Sequence, residues 1–339
     1  MAKYRALIIG PGGAGTAVYK AMIEDGRGEP VGFVETRPER VAELKEEFPD
    51  VMVDSDFDKV LAETNPNVVV DAGPDFLHGP QCVKALEAGC DVLIEKPMAT
   101  SLEDAQALVA AEKATGKTIM VDYTMRYSHP WGTMMNKARE GAVGDIFYLG
   151  GFYIHDMWNW YDAEGEYTTP WRIDPDNPQN ILFGGGCHGL DMVLYVMGDD
   201  NPVTEVYCCG NHLSGSGMPI EDCYLVSMKF ANGAIGKIFV TSGCNRGDFG
   251  PMFEVYGTDG TLIDGKLLNR NADPVELEEP EEVGVGHGWN LTVRDFLDVL
   301  DGKRDNWMNS TFGARNVSIC DAAWKSLHSG KVEKVTWFD

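Results

Sequence analysis

The stretch LIIGPGGAGTAVYKAMIEDGRGEPVGFVE, residues 7–35, decides the fold of the first part of the chain. It contains an apolar run, a cluster of glycines, a helical pattern and a second apolar run that ends in Glu35. Residues 10–15, GPGGAG, have the spacing G-x-G-x-x-G, and Glu35 follows twenty residues after Gly15. A glycine-rich turn between a strand and a helix, with an acid at this distance, is the fingerprint of a dinucleotide-binding βαβ unit.

The glycines of this motif have separate physical roles in binding a pyrophosphate. Gly10 permits the tight turn, Gly12 lets the backbone approach the phosphates, and Gly15 lets the helix pack closely on the strand. The N-terminus of the helix attracts the negative charge of the phosphates. The expected cofactor contacts from this loop are Gly10, Gly12, Gly13, Ala14 and Gly15.

The acid at the end of the second apolar run indicates which dinucleotide binds. A carboxylate at Glu35 would accept hydrogen bonds from both adenosine ribose hydroxyls and would repel a 2′-phosphate. We therefore expect NAD, with NADP the less favoured cofactor. Arg37 is a further expected cofactor contact, because its guanidinium could stack on the adenine or pair with a phosphate; the alternative is a solvated turn residue.

Composition excludes several classes of partner. The 339 residues include 28 Lys plus Arg against 53 Asp plus Glu, a formal charge of −25. This charge opposes binding to nucleic acid or to an anionic membrane. The start of the chain does not have the pattern of a signal peptide, and the eight cysteines include no C-x-x-C pair. We expect a cytoplasmic protein with free thiols and no required metal.

The pattern of apolar runs changes near residue 125. Up to that point short apolar runs alternate with helical patterns, which predicts a doubly wound parallel sheet. Beyond it longer β-rich runs predict an open, mainly antiparallel sheet with a few helices. We therefore expect a Rossmann domain over residues 1–124 and a substrate-binding and oligomerisation α/β domain over residues 125–339. The exposed face of that second sheet predicts a homodimer or homotetramer.

Beyond the glycine motif, the chain resembles a known family over nearly its whole length. VVVDAGPDFLHGPQCVKALEAGCDVLIEKPMATSLEDAQALV (68–109) is similar to the glucose–fructose oxidoreductase / inositol dehydrogenase / rhizopine-catabolism (Gfo/Idh/MocA) family, and EKP (95–97) is its most specific element. VDYTMRYSHP (121–130), TPWRIDP (169–175) and GGGCHGLDMVLYVMG (184–198) resemble later segments of that family. The resemblance implies the same two-domain fold and NAD(P)-dependent oxidation of a CH–OH group.

The resemblance also implies roles for individual residues. Further contacts to the cofactor are expected from Gly73, Pro74, His78, Glu95, Lys96, Arg126, Trp171 and Arg172. Two departures stand out. GPD (73–75) replaces the more usual Thr-Pro-Asn, and Gly184 stands where inositol dehydrogenase-like members have an aspartate four residues before the histidine. The proton relay is therefore expected to run through Asp191, a water molecule or the substrate.

The chemistry of two residues suits alcohol oxidation. Lys96 ends a predicted parallel strand at the edge where ligands bind in such folds, and its ammonium can hold the substrate oxygen. His188 opens a predicted helix and can accept a proton near neutral pH. We expect Lys96 and His188 to bracket the reacting oxygen as the catalytic pair. Asp191, one helical turn after His188, could orient the imidazole or bind a substrate hydroxyl.

The aromatic segment HDMWNWYDAEGEYTTPWR (155–172) completes the expected substrate site. Aromatic faces beside polar groups suit the C–H faces and hydroxyls of a sugar, although they would equally suit a subunit interface. Expected substrate contacts are Lys96, Tyr123, Trp158, Arg172, His188 and Asp191. The favoured function is dehydrogenation of a neutral polyol, sugar or glycoside. The alternatives are an NAD-dependent redox-neutral glycosidase and a cofactor-binding regulatory protein without turnover.

Overall fold

The computed structural model describes residues 3–165, 168–245, 252–282, 284 and 287–339. These residues form two compact units, one made of 1–124 and 284–314 and the other of 125–283 and 315–339. The first change of unit lies between residues 124 and 125; the assignment of 1–124 to cofactor binding and of 125–339 to substrate binding and oligomerisation stays a prediction. The return of residues 284–314 to the first unit was not anticipated, because it depends on contacts between distant segments that no local pattern encodes.

The first unit contains a parallel sheet in the order β3-β2-β1-β4-β5-β6. Its described strands are β1 (Tyr4–Ile9), β2 (Gly28–Val34), β3 (Met52–Asp54), β4 (Val68–Asp71), β5 (Asp91–Ile94) and β6 (Ile119–Val121). The helices that alternate with them are α1 (Gly13–Asp25), α2 (Pro38–Glu47), α3 (Phe57–Thr64), α4 (His78–Glu87) and α5 (Leu102–Thr115). The predicted doubly wound sheet is confirmed.

The strands of this sheet are apolar on both faces because helices cover both. In β4, for example, Val68, Val69 and Val70 are all at most 1% exposed, as expected for a parallel sheet covered on both sides. β3 and α3 were not predicted from the sequence. A signal for α3 was present, since the Asp56 side chain caps this helix by accepting a hydrogen bond from the Lys59 amide at 3.1 Å.

The second unit contains a larger sheet in the order β14-β13-β12-β11-β7-β10-β9-β8-β15. Its described strands are β7 (Ile146–Ile154), β8 (Val203–Asn211), β9 (Cys223–Phe230), β10 (Ile235–Thr241), β11 (Phe253–Gly257), β12 (Thr261–Ile263), β13 (Lys266–Leu268), β14 (Val275–Glu276) and β15 (Glu333–Lys334). Only β7 and β10 pair in parallel among these strands, so the predicted open, mainly antiparallel sheet is confirmed.

Six further helices complete the described chain. They are α6 (Trp131–Arg139), α7 (Trp158–Tyr161), α8 (Ile181–Gly184), α9 (Gly186–Met197), α10 (Trp289–Leu300) and α11 (Ser310–Ser329). Short 3₁₀ turns lie at Asp75–Leu77, Thr124–Tyr127 and Pro170–Ile173. Helix α10 packs on α1 of the first unit, and α9 packs on β7 and β10 of the second. None of the described helices has both the length and the apolar character needed to cross a membrane.

Candidate active site

The glycine loop between β1 and α1 forms a cradle of exposed backbone in the first unit. Gly10 has φ +66°, and a Cβ there would lie 2.5 Å from the carbonyl oxygen of Ala72; a Cβ on Gly15 would lie 2.4 Å from that of Gly10. These two positions therefore require glycine for the backbone path itself. At Gly12 the nearest atom to a Cβ is 3.7 Å away, and at Gly13 there is none within 4 Å.

The open side of this loop suits an anion. Helix α1 begins at Gly13 with neither a side-chain cap nor an acid in its first turn, so its N-terminal amides are not capped by a side chain. Such amides, together with the helix dipole, favour a pyrophosphate. The residues present therefore fit the dinucleotide that the sequence predicts.

The predicted ribose-binding acid is held by its neighbour two residues on. Glu35 is 6% exposed; its Oε1 accepts from the Thr36 and Arg37 amides at 2.8 and 2.9 Å, and its Oε2 accepts from Arg37 Nη2 at 2.7 Å. Burial opposes ionisation of Glu35, but the hydrogen bonds from Arg37 outweigh it and lower the pKa of the carboxyl. Glu35 is thus ionised at neutral pH, and Oε2 retains a lone pair for a further donor.

A residue that the sequence analysis missed braces the glycine loop. Arg40, in α2, donates from Nε to the carbonyl oxygen of Pro11 at 2.9 Å and from Nη2 to the hydroxyl of Thr16 at 3.1 Å. This arginine therefore fixes both ends of the loop and adds positive charge beside it. An arginine in the second helix gives no sequence signal for such a contact.

The loop after β4 is fastened to the loop after β5 by His78. The imidazole is 1% exposed; its Nδ1 lies 2.8 Å from the carbonyl oxygen of Pro97 and its Nε2 lies 3.2 Å from that of Gly73. Asp71, at the end of β4, accepts a hydrogen bond from the Gly73 amide at 3.1 Å. The structure shows His78 as a fastener between two loops; its contact with the nicotinamide ribose stays a prediction, as do those of Gly73 and Pro74.

The end of β5 carries the Glu95-Lys96 pair. Glu95 Oε1 accepts from the indole Nε1 of Trp289 at 3.0 Å, and its Oε2 accepts from the Lys96 amide at 3.2 Å. Trp289 begins α10, in the segment that returns to the first unit. Trp289 was not predicted from the sequence, since nearly two hundred residues separate it from Glu95 and no local pattern links them. Glu95 is therefore fixed from two sides next to the predicted catalytic lysine.

In the second unit, glycines bring α9 against β7. A Cβ on Gly151 of β7 would lie 2.4 Å from the carbonyl oxygen of Gly189, and a Cβ on Gly185 would lie 2.5 Å from the ring of Tyr153. The run GGG (184–186) thus permits a close approach of the α9 N-terminus to the sheet. His188, in the first turn of α9, is consequently 6% exposed.

The imidazole of His188 is held by an aromatic stack. The ring of Tyr153 lies 5.6 Å from that of His188 and 5.6 Å from that of His155, with interplanar angles of 13° in both cases. Tyr153 of β7 thus stacks on two imidazoles, one from α9 and one from the residue that follows β7. His188 was predicted from the sequence but Tyr153 was not, because the role of Tyr153 depends on the packing of α9.

Asp191 does not serve His188 in the way the helical spacing suggests. Its carboxylate is fully buried, and it accepts from Arg126 Nε at 3.0 Å and from Arg126 Nη2 at 2.6 Å. Burial raises the pKa of Asp191, and the Arg126 charge partly offsets that rise. Arg126 also stacks on the ring of Tyr195, 4.4 Å from its centroid. The structure thus pairs Arg126 with Asp191; their predicted contacts with cofactor and substrate stay predictions.

The remaining predicted contacts lie in different settings. Trp158 has a buried indole Nε1 without a hydrogen-bond partner among the described residues. Arg172 stacks on Trp171, 4.6 Å from the ring centroid, and its Nη1 donates to Gln179. Tyr123 is 1% exposed and packs edge-on against Phe312 in the first unit. Tyr167 of the aromatic segment lies outside the described residues.

The units therefore collect the predicted residues in two groups. One edge of the parallel sheet brings together the glycine loop, Glu35, the loop at Gly73 and the Glu95-Lys96 pair. The second unit holds His188, Asp191 and the aromatic segment. Over the described ranges, no cluster of three or more His, Cys, Asp or Glu side chains could hold a metal ion.

Comparison with known proteins agrees with this arrangement. Residues 4–123 match the model of an oxidoreductase family with an NAD-binding Rossmann fold, and residues 131–263 match the model of the Gfo/Idh/MocA C-terminal domain. A solved structure of levoglucosan dehydrogenase with NADH and L-sorbose superposes with a TM-score of 0.83 at 22% identity, over 100% of both chains. That likeness shows a shared fold.

Curated relatives fall in the same group. Levoglucosan dehydrogenase of Pseudarthrobacter phenanthrenivorans is 26% identical over 68% of this chain, a match that spans 63% of that enzyme. The 2,7-anhydro-N-acetylneuraminate hydratase of Mediterraneibacter gnavus is 26% identical over 89% of this chain and 81% of its own. Together with the two family models, these matches show that the chain belongs to the Gfo/Idh/MocA oxidoreductase family and that its first domain is an NAD-binding Rossmann domain.

Proposed function

We propose that the protein is an NAD-dependent dehydrogenase that oxidises a secondary hydroxyl of a neutral sugar, cyclitol or glycoside. The observation that carries this proposal is the end of β5, where Lys96 follows a Glu95 carboxylate held by Trp289 and by the backbone. The carboxyl ends of parallel strands are where such folds bind ligands. Bound NAD supplies the hydride acceptor.

Four parts of the first unit would hold the cofactor. The Cα atoms of Gly12 and Gly13 border open space suited to the pyrophosphate, and ionised Glu35 has a free lone pair for the adenosine ribose. Glu95 lies one residue before Lys96, where its carboxylate can accept a hydrogen bond from a hydroxyl of the nicotinamide ribose. Arg37 forms an ion pair with Glu35 and so neutralises part of the negative charge that would repel a 2′-phosphate. The strength of the preference for NAD over NADP is therefore a prediction to be tested.

Two side chains would act on the substrate hydroxyl. His188 takes its proton as a general base, and stacking on Tyr153 fixes the plane of the imidazole. Lys96 orients the hydroxyl and stabilises the negative charge that develops on its oxygen. Since Asp191 is paired with Arg126, a water molecule or the substrate itself completes the proton path that Gly184 leaves without an aspartate.

A neutral carbohydrate suits the charge and the aromatic content of the chain. A formal charge of −25 disfavours an anionic substrate. Trp158 offers a buried indole N–H without a partner among the described residues, which a sugar hydroxyl could satisfy. Relatives named for levoglucosan extend this choice to anhydro sugars.

A second reaction class has one observation in its favour. The match to the relative named 2,7-anhydro-N-acetylneuraminate hydratase covers 89% of this chain. The name of that relative describes a reaction without net oxidation. In a redox-neutral glycosidase, the same lysine and histidine would act on a hydroxyl that is oxidised transiently and then restored. Elimination of a leaving group would separate the two redox steps.

One experiment distinguishes these reactions. Neutral sugars, inositols, levoglucosan and glycosides are incubated with the enzyme and NAD, with NADH absorbance and product masses recorded in parallel. Net NADH formation supports the dehydrogenase. Release of a leaving group without net NADH supports the glycosidase, and neither signal with any neutral carbohydrate would overturn both.

We also propose that the second sheet joins copies of this chain into a homodimer or homotetramer. Along β9 buried and exposed residues alternate, and the exposed side includes Leu225 at 48%, with Ile235 of β10 at 56%. Apolar side chains on an open sheet face favour cover by a partner. A monomer mass in light scattering at micromolar concentration would contradict this. None of the eight cysteines, all of which are described, forms a disulfide, which agrees with the proposed cytoplasmic location.

A further inference from the structure

A second carboxyl group lies beside Glu95 at the edge of the parallel sheet. Asp122 is the residue after β6 and Glu95 is the residue after β5, and these strands pair with Ile94 opposite Val121. The Asp122 amide donates to the carbonyl oxygen of Ile94 at 2.8 Å, which continues this register by one step. At equal register in neighbouring parallel strands, side chains point to the same face of the sheet. The strand register therefore makes Glu95 and Asp122 neighbours on the same face of the sheet.

Asp122 lacks the partners that an ionised carboxylate needs. It is 1% exposed, and neither carboxyl oxygen has a hydrogen-bond partner at normal geometry among the described residues. The groups that influence it are Glu95 and Lys96 after β5 and Thr292 in α10. Asp295, a buried acid of α10, forms its own ion pair with Arg304. A lone buried carboxylate is strongly disfavoured, so the neutral acid is the favoured form.

The two carboxyl groups differ in what surrounds them. Glu95 already accepts from the Trp289 indole and the Lys96 amide. Each of its oxygens retains a lone pair for another donor. Burial, and after it the charge of Glu95, raises the pKa of Asp122 well above its ordinary value. One proton shared by the pair therefore belongs on Asp122.

We propose that Asp122 is a positioning residue, a protonated acid that donates a hydrogen bond to the Glu95 carboxylate and so fixes Glu95 beside Lys96. The pair then carries one negative charge, which balances the single charge of the Lys96 ammonium. Ionisation of Asp122 would add a second negative charge next to Lys96 and weaken the electrostatic help that this lysine gives to an alkoxide. This role in catalysis rests on the proposed function, whereas the protonation of Asp122 does not.

The first test needs neither substrate nor cofactor. Infrared difference spectra at neutral pH compare the wild-type protein with Asp122→Asn, and Asp295→Asn is the matched control, since Asp295 is buried but paired with Arg304. We expect a carbonyl band of a protonated carboxylic acid that Asp122→Asn removes and Asp295→Asn retains. No such band in the wild type, or a band that survives Asp122→Asn, would overturn the proposal.

Thermal stability gives an independent reading. Because the pKa of Asp122 is higher in the folded than in the unfolded chain, its contribution to stability falls as pH rises from the unfolded value towards the folded one. The Tm advantage of Asp122→Asn over the wild type should therefore grow across this interval. A Tm difference that does not change with pH would contradict a protonated Asp122.

Kinetics then test the positioning role with whichever substrate the carbohydrate panel identifies. Asp122→Asn keeps a neutral donor at this position, so we expect a kcat near that of the wild type and a smaller loss of rate at alkaline pH. Asp122→Leu removes the donor and should lower kcat about tenfold or more. Equal impairment of Asp122→Asn and Asp122→Leu at every pH would overturn the positioning role. If the panel yields no substrate but the infrared band behaves as expected, only the proposed function fails.

Discussion

The strand ends of the first unit and the α9–β7 region of the second hold their functional groups in different ways. Glu35 and Glu95 follow strands of a parallel sheet, and backbone hydrogen bonds from their amides to the neighbouring strands hold their positions. His188 depends instead on the ring of Tyr153 and on close glycine contacts between a helix and a strand. Changes at Glu35 and Glu95 should therefore alter binding and rate more than stability, whereas changes around His188 should also alter stability.

The largest expected effects come from removing the reacting groups themselves, which tests whether both regions serve one reaction. Positioned general-base catalysis is typically worth about 10²- to 10⁴-fold. His188→Ala should lower kcat by roughly that factor with NAD affinity nearly unchanged, and Lys96→Ala should be at least as damaging. The double variant should lose less than the product of the two factors, because both groups serve one proton transfer. Steady-state kinetics and NAD titrations measure this.

Near-normal turnover of His188→Ala across the pH range would remove histidine from the proposed mechanism. Lys96 would then be the acid–base residue. Fully multiplicative losses would indicate that the two side chains act in separate steps.

The buried ion pair between Asp191 of α9 and Arg126 should give the next largest effect, which is on stability. Asp191→Ala leaves the Arg126 guanidinium buried without its carboxylate, which typically costs about 3–5 kcal/mol of unfolding free energy. The control is Glu140→Ala, because Glu140 pairs with Lys137 and both side chains are largely exposed, at 60% and 45%. That control should cost at most about 1 kcal/mol. Urea unfolding of both variants measures the two losses of unfolding free energy. A large loss for Asp191→Ala alone would show that the stability of the region around His188 depends on this buried ion pair.

A glycine of the α9 N-terminus tests the packing of the aromatic stack directly. A methyl group at Gly185 would lie 2.5 Å from the Tyr153 ring, whereas one at Gly186 would meet a Val240 methyl at 3.0 Å. Gly185→Ala should therefore cost about 1–3 kcal/mol and lower kcat as the stack shifts. Gly186→Ala should be milder, since alanine favours the helix. Similar effects of the two variants on kcat would show that the stack does not hold His188.

The smallest expected effect lies at the strand end, where stability should hardly change. Glu35→Gln removes an ionised acceptor, so the Kd for NAD should rise about tenfold and discrimination against NADP should fall. The pKa of Glu35 is lowered in the folded protein, so its carboxylate stays ionised at and above the ordinary carboxyl pKa. Its contribution to NAD binding is therefore lost only as pH falls through the lowered value. NAD titrations should show that acid loss in the wild type and not in Glu35→Gln. Unchanged affinity would assign the adenosine ribose to another residue.

Much of the first unit was determined by local sequence. Alternating apolar runs and helical patterns predict five of its six strands to within a few residues, because each buried strand is apolar throughout. The glycine motif predicts its own geometry, since Gly10 and Gly15 lie where a Cβ would overlap a carbonyl oxygen. Glu35 and Lys96 were predicted because the carboxyl ends of parallel strands lie at the binding edge, and Glu95 was predicted from the family resemblance of EKP (95–97).

Only the tertiary structure decided which groups pair with each other. Spacing placed Asp191 one turn from His188, but the fold gives its carboxylate to Arg126, sixty-five residues earlier in the chain. Trp289 reaches Glu95, and Asp122 comes beside it, because strand order and the return of residues 284–314 bring distant segments together. Local patterns record what a residue needs from its surroundings, such as burial or a φ angle. Which partner meets that need depends on long-range packing, and so the charges at this edge were decided by the fold.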